Sequence, residues 1–101
     1  MKNIIIKNIV LNLDFIDERD ERKLVDSLLY FVIKELDTIF KYNGTKEIKN
    51  REYYYRNVKV CLETDIGDKD PEDIKFDIIT LIRKYNNENK ILNHFQVNTE
   101  D

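Results

Sequence analysis

Asp70-Pro71-Glu72-Asp73-Ile74-Lys75-Phe76-Asp77-Ile78-Ile79-Thr80-Leu81-Ile82-Arg83-Lys84-Tyr85 carries its own start signal. Asp70 is an N-cap residue type, and Pro71 suits the first helical position, where a missing N–H leaves no bond unmade. Glu72 and Asp73 place negative charge at the positive end of the helix dipole. Ile74, Ile78, Leu81, Ile82 and Tyr85 then recur on one face at helical spacing. The pattern predicts a helix from Pro71 that frays out through Asn86-Asn87-Glu88-Asn89. Beyond it, Ile91 to Val97 reads as a short last strand and Asn98 to Asp101 as a flexible tail.

On the N-terminal side of that helix, Tyr53 to about Thr64 reads as a strand. Val58, Val60 and Leu62 fall on one face, and Tyr53, Tyr55, Asn57 and Cys61 on the other. A tight turn near Asn50-Arg51-Glu52 separates it from a short, weak strand over Lys46 to Asn50. Asn43-Gly44 fits a left-handed helix C-cap. The same dipeptide suits a type I′ hairpin turn, but a turn there would cut short a strongly periodic helix carrying Leu24, Leu28, Phe31, Val32, Leu36, Ile39 and Phe40. Asp17 stands ahead of that helix, with Glu18, Asp20 and Glu21 in the acidic first turn. Residues 3–15 alternate as a first strand, with Ile5, Ile9, Leu11, Leu13 and Phe15 on one face and Asn8, Val10, Asn12 and Asp14 on the other.

The resulting order, β-α-β-β-α-β, is the ferredoxin-like arrangement. It predicts a single α+β domain over residues 1–101, a four-stranded antiparallel sheet with two helices on one face. The first and third strands, the longest and most apolar, would be central. The second and fourth would be short edges carrying lysine and asparagine. One sheet face would stay open.

Composition narrows the functions. The 101 residues are 42% hydrophobic and 37% charged, with net charge −3 and pI near 5.2, and both signs are interspersed. Nucleic-acid binders usually carry a basic stripe, so this balance disfavours them. Cys61 is the lone cysteine, so no disulfide can form within the chain, which suits a reducing, cytoplasmic setting. Lys7 and Asn8 interrupt the apolar N-terminal run, no alanine occurs, and no run approaches a membrane span. No cofactor or metal is expected.

The acidic stretch Asp65-Ile66-Gly67-Asp68-Lys69-Asp70-Pro71-Glu72-Asp73 lacks the order of acids and glycine that a calcium loop needs. It reads as a turn and a helix start. Asp14, Asp17, Glu18, Asp20 and Glu21 form a second cluster, which the chain order places at the opposite end of the domain. Nucleotidyl-transfer palms and cyclases share the topology, but Asn50-Arg51-Glu52 offers no aspartate pair to complete a two-metal site. RNA-recognition domains share it too and stack bases on third-strand aromatics. Arg51-Glu52-Tyr53-Tyr54-Tyr55-Arg56 is similar in its basic start and alternating aromatics, but Asn8, Val10 and Asn12 give no first-strand platform. His94 and Cys61 fall on different strands and form no nucleophile–base pair. Gly44 and Gly67 are too few for a phosphate-binding loop, including the one acylphosphatases of this topology carry after the first strand.

Leu28-Leu29-Tyr30-Phe31-Val32-Ile33 is apolar nearly all the way round the first helix, which predicts burial on more than one side. Either the second helix or the tail covers the outer residues, or Leu29, Tyr30 and Ile33 form a homodimer or partner interface. The leading expectation is a non-enzymatic protein-binding module. Its class would be that of small phage or mobile-element inhibitors of host defence nucleases, or of toxin-neutralising immunity proteins. Tyr53, Tyr55, Arg51, Arg56, Leu29, Tyr30, Ile33, Asp65 and Asp68 are its candidate contact residues. The alternative is RNA or single-stranded DNA binding through Tyr53, Tyr55, Arg51 and Arg56.

Overall fold

In the computed structural model, residues 6–16, 21–39, 46–54, 57–65 and 69–100 are described. They form β1 (Ile6–Phe15), α1 (Glu21–Ile39), β2 (Lys46–Tyr54), β3 (Asn57–Asp65), α2 (Pro71–Asn89) and β4 (Leu92–Glu100). The four strands make one antiparallel sheet in the order β2-β3-β1-β4, a ferredoxin-like α+β fold. The expected caps at Asp17 and Asn43-Gly44 lie outside the described residues.

β1 alternates as its sequence requires. Ile9, Leu11, Leu13 and Phe15 are buried against the helices with Val58, Val60 and Leu62 of β3. α1 contributes Val25, Leu28, Leu29, Val32 and Leu36, and α2 contributes Ile74, Ile78, Leu81 and Ile82. The two helices also meet directly, where the Phe31 and Tyr85 rings lie 5.2 Å apart. Asp70 caps α2 as expected. Its carboxylate accepts from the Glu72 backbone N–H at 2.9 Å, with Pro71 just inside the helix.

Three expectations require correction. The hairpin does not turn at Asn50-Arg51-Glu52: β2 runs on to Tyr54, which pairs with Asn57. β2 is therefore nine residues long, as long as β3, and β4 reaches the same length at the other edge. Each edge also carries a bulge. Lys49 is the extra residue between Ile48↔Leu62 and Asn50↔Cys61, and Asn93 is the extra residue between Asp14↔His94 and Phe15↔Leu92.

Secondly, Asn98 to Glu100 are no tail. They pair with Val10, Ile9 and Asn8 and extend the β1–β4 ladder. Thirdly, α2 does not fray through its asparagines. Asn86 turns back over the helix end, and its side-chain oxygen accepts from the backbone N–H groups of Ile91 (3.0 Å) and Leu92 (2.8 Å). Its Nδ2 donates to the Leu92 carbonyl at 3.1 Å. Lys90 closes the helix in the left-handed region, φ 52°, with its N–H donating to the Asn86 carbonyl.

Candidate functional surfaces

The hairpin shift changes which way β2 faces. In one continuous strand, residues 53 and 58 would sit on opposite faces. Across the actual hairpin they are direct partners, as are Arg51 and Val60, and partners share a face. Val58 and Val60 are core residues, so Tyr53 and Arg51 belong to the helix-covered side. Tyr53 packs half-buried against the core, with the Arg22 guanidinium 5.2 Å from its ring centroid. Arg51 donates to the Asp26 carboxylate of α1. Burial works against the Arg51 cation, but the hydrogen bonds and charges of Asp26 and Tyr53 outweigh it and hold the guanidinium above its ordinary range. Tyr53 and Arg51 thus tie β2 to α1, and Tyr53 offers no stacking face on the open side of the sheet. Tyr55, Arg56 and Asp68 lie outside the described residues.

The proposed interface on α1 separates into three different environments. Leu29 is 1% exposed and sits in the core, because the stripe of α1 spans both the sheet and α2. Ile33 is half-buried. With Ile9, Leu36, Leu62, Thr64, Ile74 and Ile78 it closes round a space of about 10 Å³, so its inner side is already occupied. Tyr30 alone projects, 70% exposed, with the Lys34 ammonium 5.9 Å from its ring centroid. Burial between sheet and second helix therefore accounts for most of the all-round apolarity of Leu28 to Ile33.

The open sheet face is polar. The register puts Asn8, Asn12 and Asp14 of β1 on it beside Lys59 and Glu63 of β3 and His94, Gln96 and Asn98 of β4. Val10, 2% exposed, is an apolar exception at its centre. The register also keeps chemistry-bearing groups apart. Asp65 pairs with Ile6 and Asp14 with Asn57, so the two lie at opposite ends of β1, about 26 Å apart. Cys61 pairs with Val10 and His94 with Asp14, a separation of about 13 Å along the sheet and two strand spacings across it. No group of three or more His, Cys, Asp or Glu side chains gathers into a metal site among the described residues. No helix among them is long and apolar enough to cross a membrane.

One concave surface stands out, and the sequence reading did not single it out. A groove of about 430 Å³ runs between α2 and β4, lined by Lys75, Ile79, Arg83 and Asn86 from the helix and by 93–98 from the strand. The helix residues form a single stripe at intervals of about one turn. The strand residues are consecutive, so both faces of β4 reach the groove, and it follows the backbone edge of that strand, which pairs with no further strand among the described residues. Lys75, Arg83 and His94 line it, and no described carboxylate does. Lys75 and Arg83 make no ion pair among the described residues. The signal was present in sequence as Lys75, Ile79 and Arg83 at i, i+4 and i+8. Only the edge position of β4 gives that spacing a meaning. Compared with known protein families, curated proteins and solved structures, the chain matches none.

Proposed function

We propose that this chain is a non-enzymatic protein-binding module that works by occupying a surface of a macromolecular partner. The observation that carries this reading is the groove between α2 and β4. It combines a strand edge that no other described strand pairs with, a partly exposed apolar position at Ile79, and the cations Lys75 and Arg83, which have no ion-pair partner among the described residues, in a chain of net charge −3. A nine-residue edge that no other described strand covers offers a row of backbone donors and acceptors that another polypeptide can match. Size and acidic balance agree with small phage or mobile-element inhibitors and with immunity proteins, which act through surfaces.

The test is capture of a partner by the tagged chain, followed by reconstitution of the complex from purified components. A defined complex that forms with the purified partner and inhibits or shields it supports the reading. A chain that forms no complex with any candidate purified after capture, at concentrations of about 10 μM where a modest interface would be populated, ends it.

A further inference from the structure

We propose that the groove binds an extended acidic segment of a partner protein, which adds to the sheet as a fifth strand beside β4 and presents the pattern acid-x-apolar-x-acid to α2. This rests on the protein-binding reading and specifies the ligand of that surface. The geometry comes from matching two repeats. Lys75, Ile79 and Arg83 are spaced by four helical residues each, about 6 Å per step and about 12 Å in all. Alternate residues of a strand lie on one face about 6.6 Å apart, so positions i, i+2 and i+4 span about 13 Å. A strand laid along β4 therefore puts one side chain beside Lys75, the next same-face side chain over Ile79, and the third beside Arg83. The outer positions call for carboxylates and the middle one for an aliphatic group. β4 lies antiparallel to α2 in this fold, and the pattern reads the same from either end, so both strand directions satisfy it.

The same observations disfavour other occupants. A second copy pairing edge to edge through β4 would bring two Lys75 and Arg83 sets toward one another with no described carboxylate in the lining of either groove. A nucleic acid would find the cations but would leave the backbone groups of β4 without a matching ladder.

The experiment uses the full chain and a fluorescein-labelled synthetic peptide carrying Glu-Thr-Val-Thr-Glu flanked by threonines, followed by fluorescence anisotropy. Saturable binding is expected. It should weaken on the order of tenfold for Lys75→Glu/Arg83→Glu, two charge reversals in the groove wall, at a half-buried and an exposed position, that leave the core untouched. A peptide with lysine in both glutamate positions should bind the reversed variant better than the wild type. The glutamate peptide N-methylated at alternate residues on the side facing β4 should lose binding to the wild-type chain, and that arm needs no protein variant. The proposal is overturned by no saturable binding up to about 1 mM peptide, by equal binding of the lysine and glutamate peptides to the wild type, or by competition from a deoxythymidine dodecamer as effective as unlabelled peptide. A concentration-dependent dimer that excludes the peptide also overturns it. A purified partner that still binds the Lys75→Glu/Arg83→Glu variant with unchanged affinity refutes the groove while leaving the protein-binding reading in place.

Discussion

Replacing Asn86 by alanine should destabilise the chain far more than a residue on the last turns of a helix ordinarily would. The Asn86 carboxamide makes three hydrogen bonds across the α2–β4 junction, two accepted from Ile91 and Leu92 N–H groups and one donated to the Leu92 carbonyl. Alanine leaves two backbone donors and an acceptor without those partners. Ile91 and Leu92 are buried while Asn86 is half-buried, so water can replace part of what is lost. At about 1 kcal/mol per hydrogen bond, and more where a stranded group stays dry, the cost is about 2–3 kcal/mol. For a domain of this size that corresponds to roughly 10–20 °C in melting temperature. Asn86→Asp keeps the accepting oxygen and loses only the donated bond, so it should cost about 1 kcal/mol. Asn89→Ala is the control. Its Nδ2 donates to the Tyr85 carbonyl at 3.0 Å on an exposed surface, and its loss should stay within about 0.5 kcal/mol. Urea unfolding followed by circular dichroism measures all three. An Asn86→Ala variant as stable as Asn89→Ala would refute the view that this side chain clamps helix to strand.

Three further outcomes follow from the packing. Leu29→Ala should cost about 2–5 kcal/mol as a buried truncation, whereas Tyr30→Ala, one residue on, should cost less than about 0.5 kcal/mol; urea midpoints distinguish them, and equal effects would contradict the placement of Leu29 in the core. Deleting 98–101 removes the pairing of Asn98, Thr99 and Glu100 with β1 and should cost on the order of 1–3 kcal/mol, where removal of a mere tail would leave the midpoint unmoved. A double-mutant cycle on Arg51→Ala and Asp26→Ala should give a coupling below about 1 kcal/mol, since the Asp26 carboxylate is largely solvated and Arg51 is partly so; a coupling of several kcal/mol would mean the pair is far drier than its exposure indicates.

The fold was legible because its strongest signals are local. The cap at Asp70-Pro71 and the alternation of Ile9, Leu11, Leu13 and Phe15 each specify an element and a face without help from distant residues. The hairpin was not legible, because Asn50-Arg51-Glu52 has good turn chemistry yet lies within β2, which continues to Tyr54. The longer β2 is favoured by long-range gains instead, with Tyr53 packed on the core and Arg51 reaching Asp26. Since side chains alternate with period two, that one shift exchanged the face of Tyr53 and removed it from the open sheet surface. Asn86 to Asn89 misled for a related reason. Asparagine suits both a frayed end and a built cap, and the hydrogen bonds that decide between them are made to Ile91 and Leu92. The groove went unread because its two walls are separate in sequence. Lys75 and Arg83 look like ordinary solvated helix residues until β4 is placed beside them, its outer edge paired with no other described strand.

Amide hydrogen exchange along β4, measured with and without the glutamate peptide, bears most directly on the claim that this edge is where the chain meets its partner. In an edge strand, alternate N–H groups bond to β1 and the rest point outward. The outward amides within 93–98 should exchange readily in the free chain and become protected with peptide bound, while their β1-bonded neighbours and the amides of β2 change little. Protection that gathers on β2 or on the polar sheet face, or outward β4 amides that exchange equally fast in both states, would contradict it.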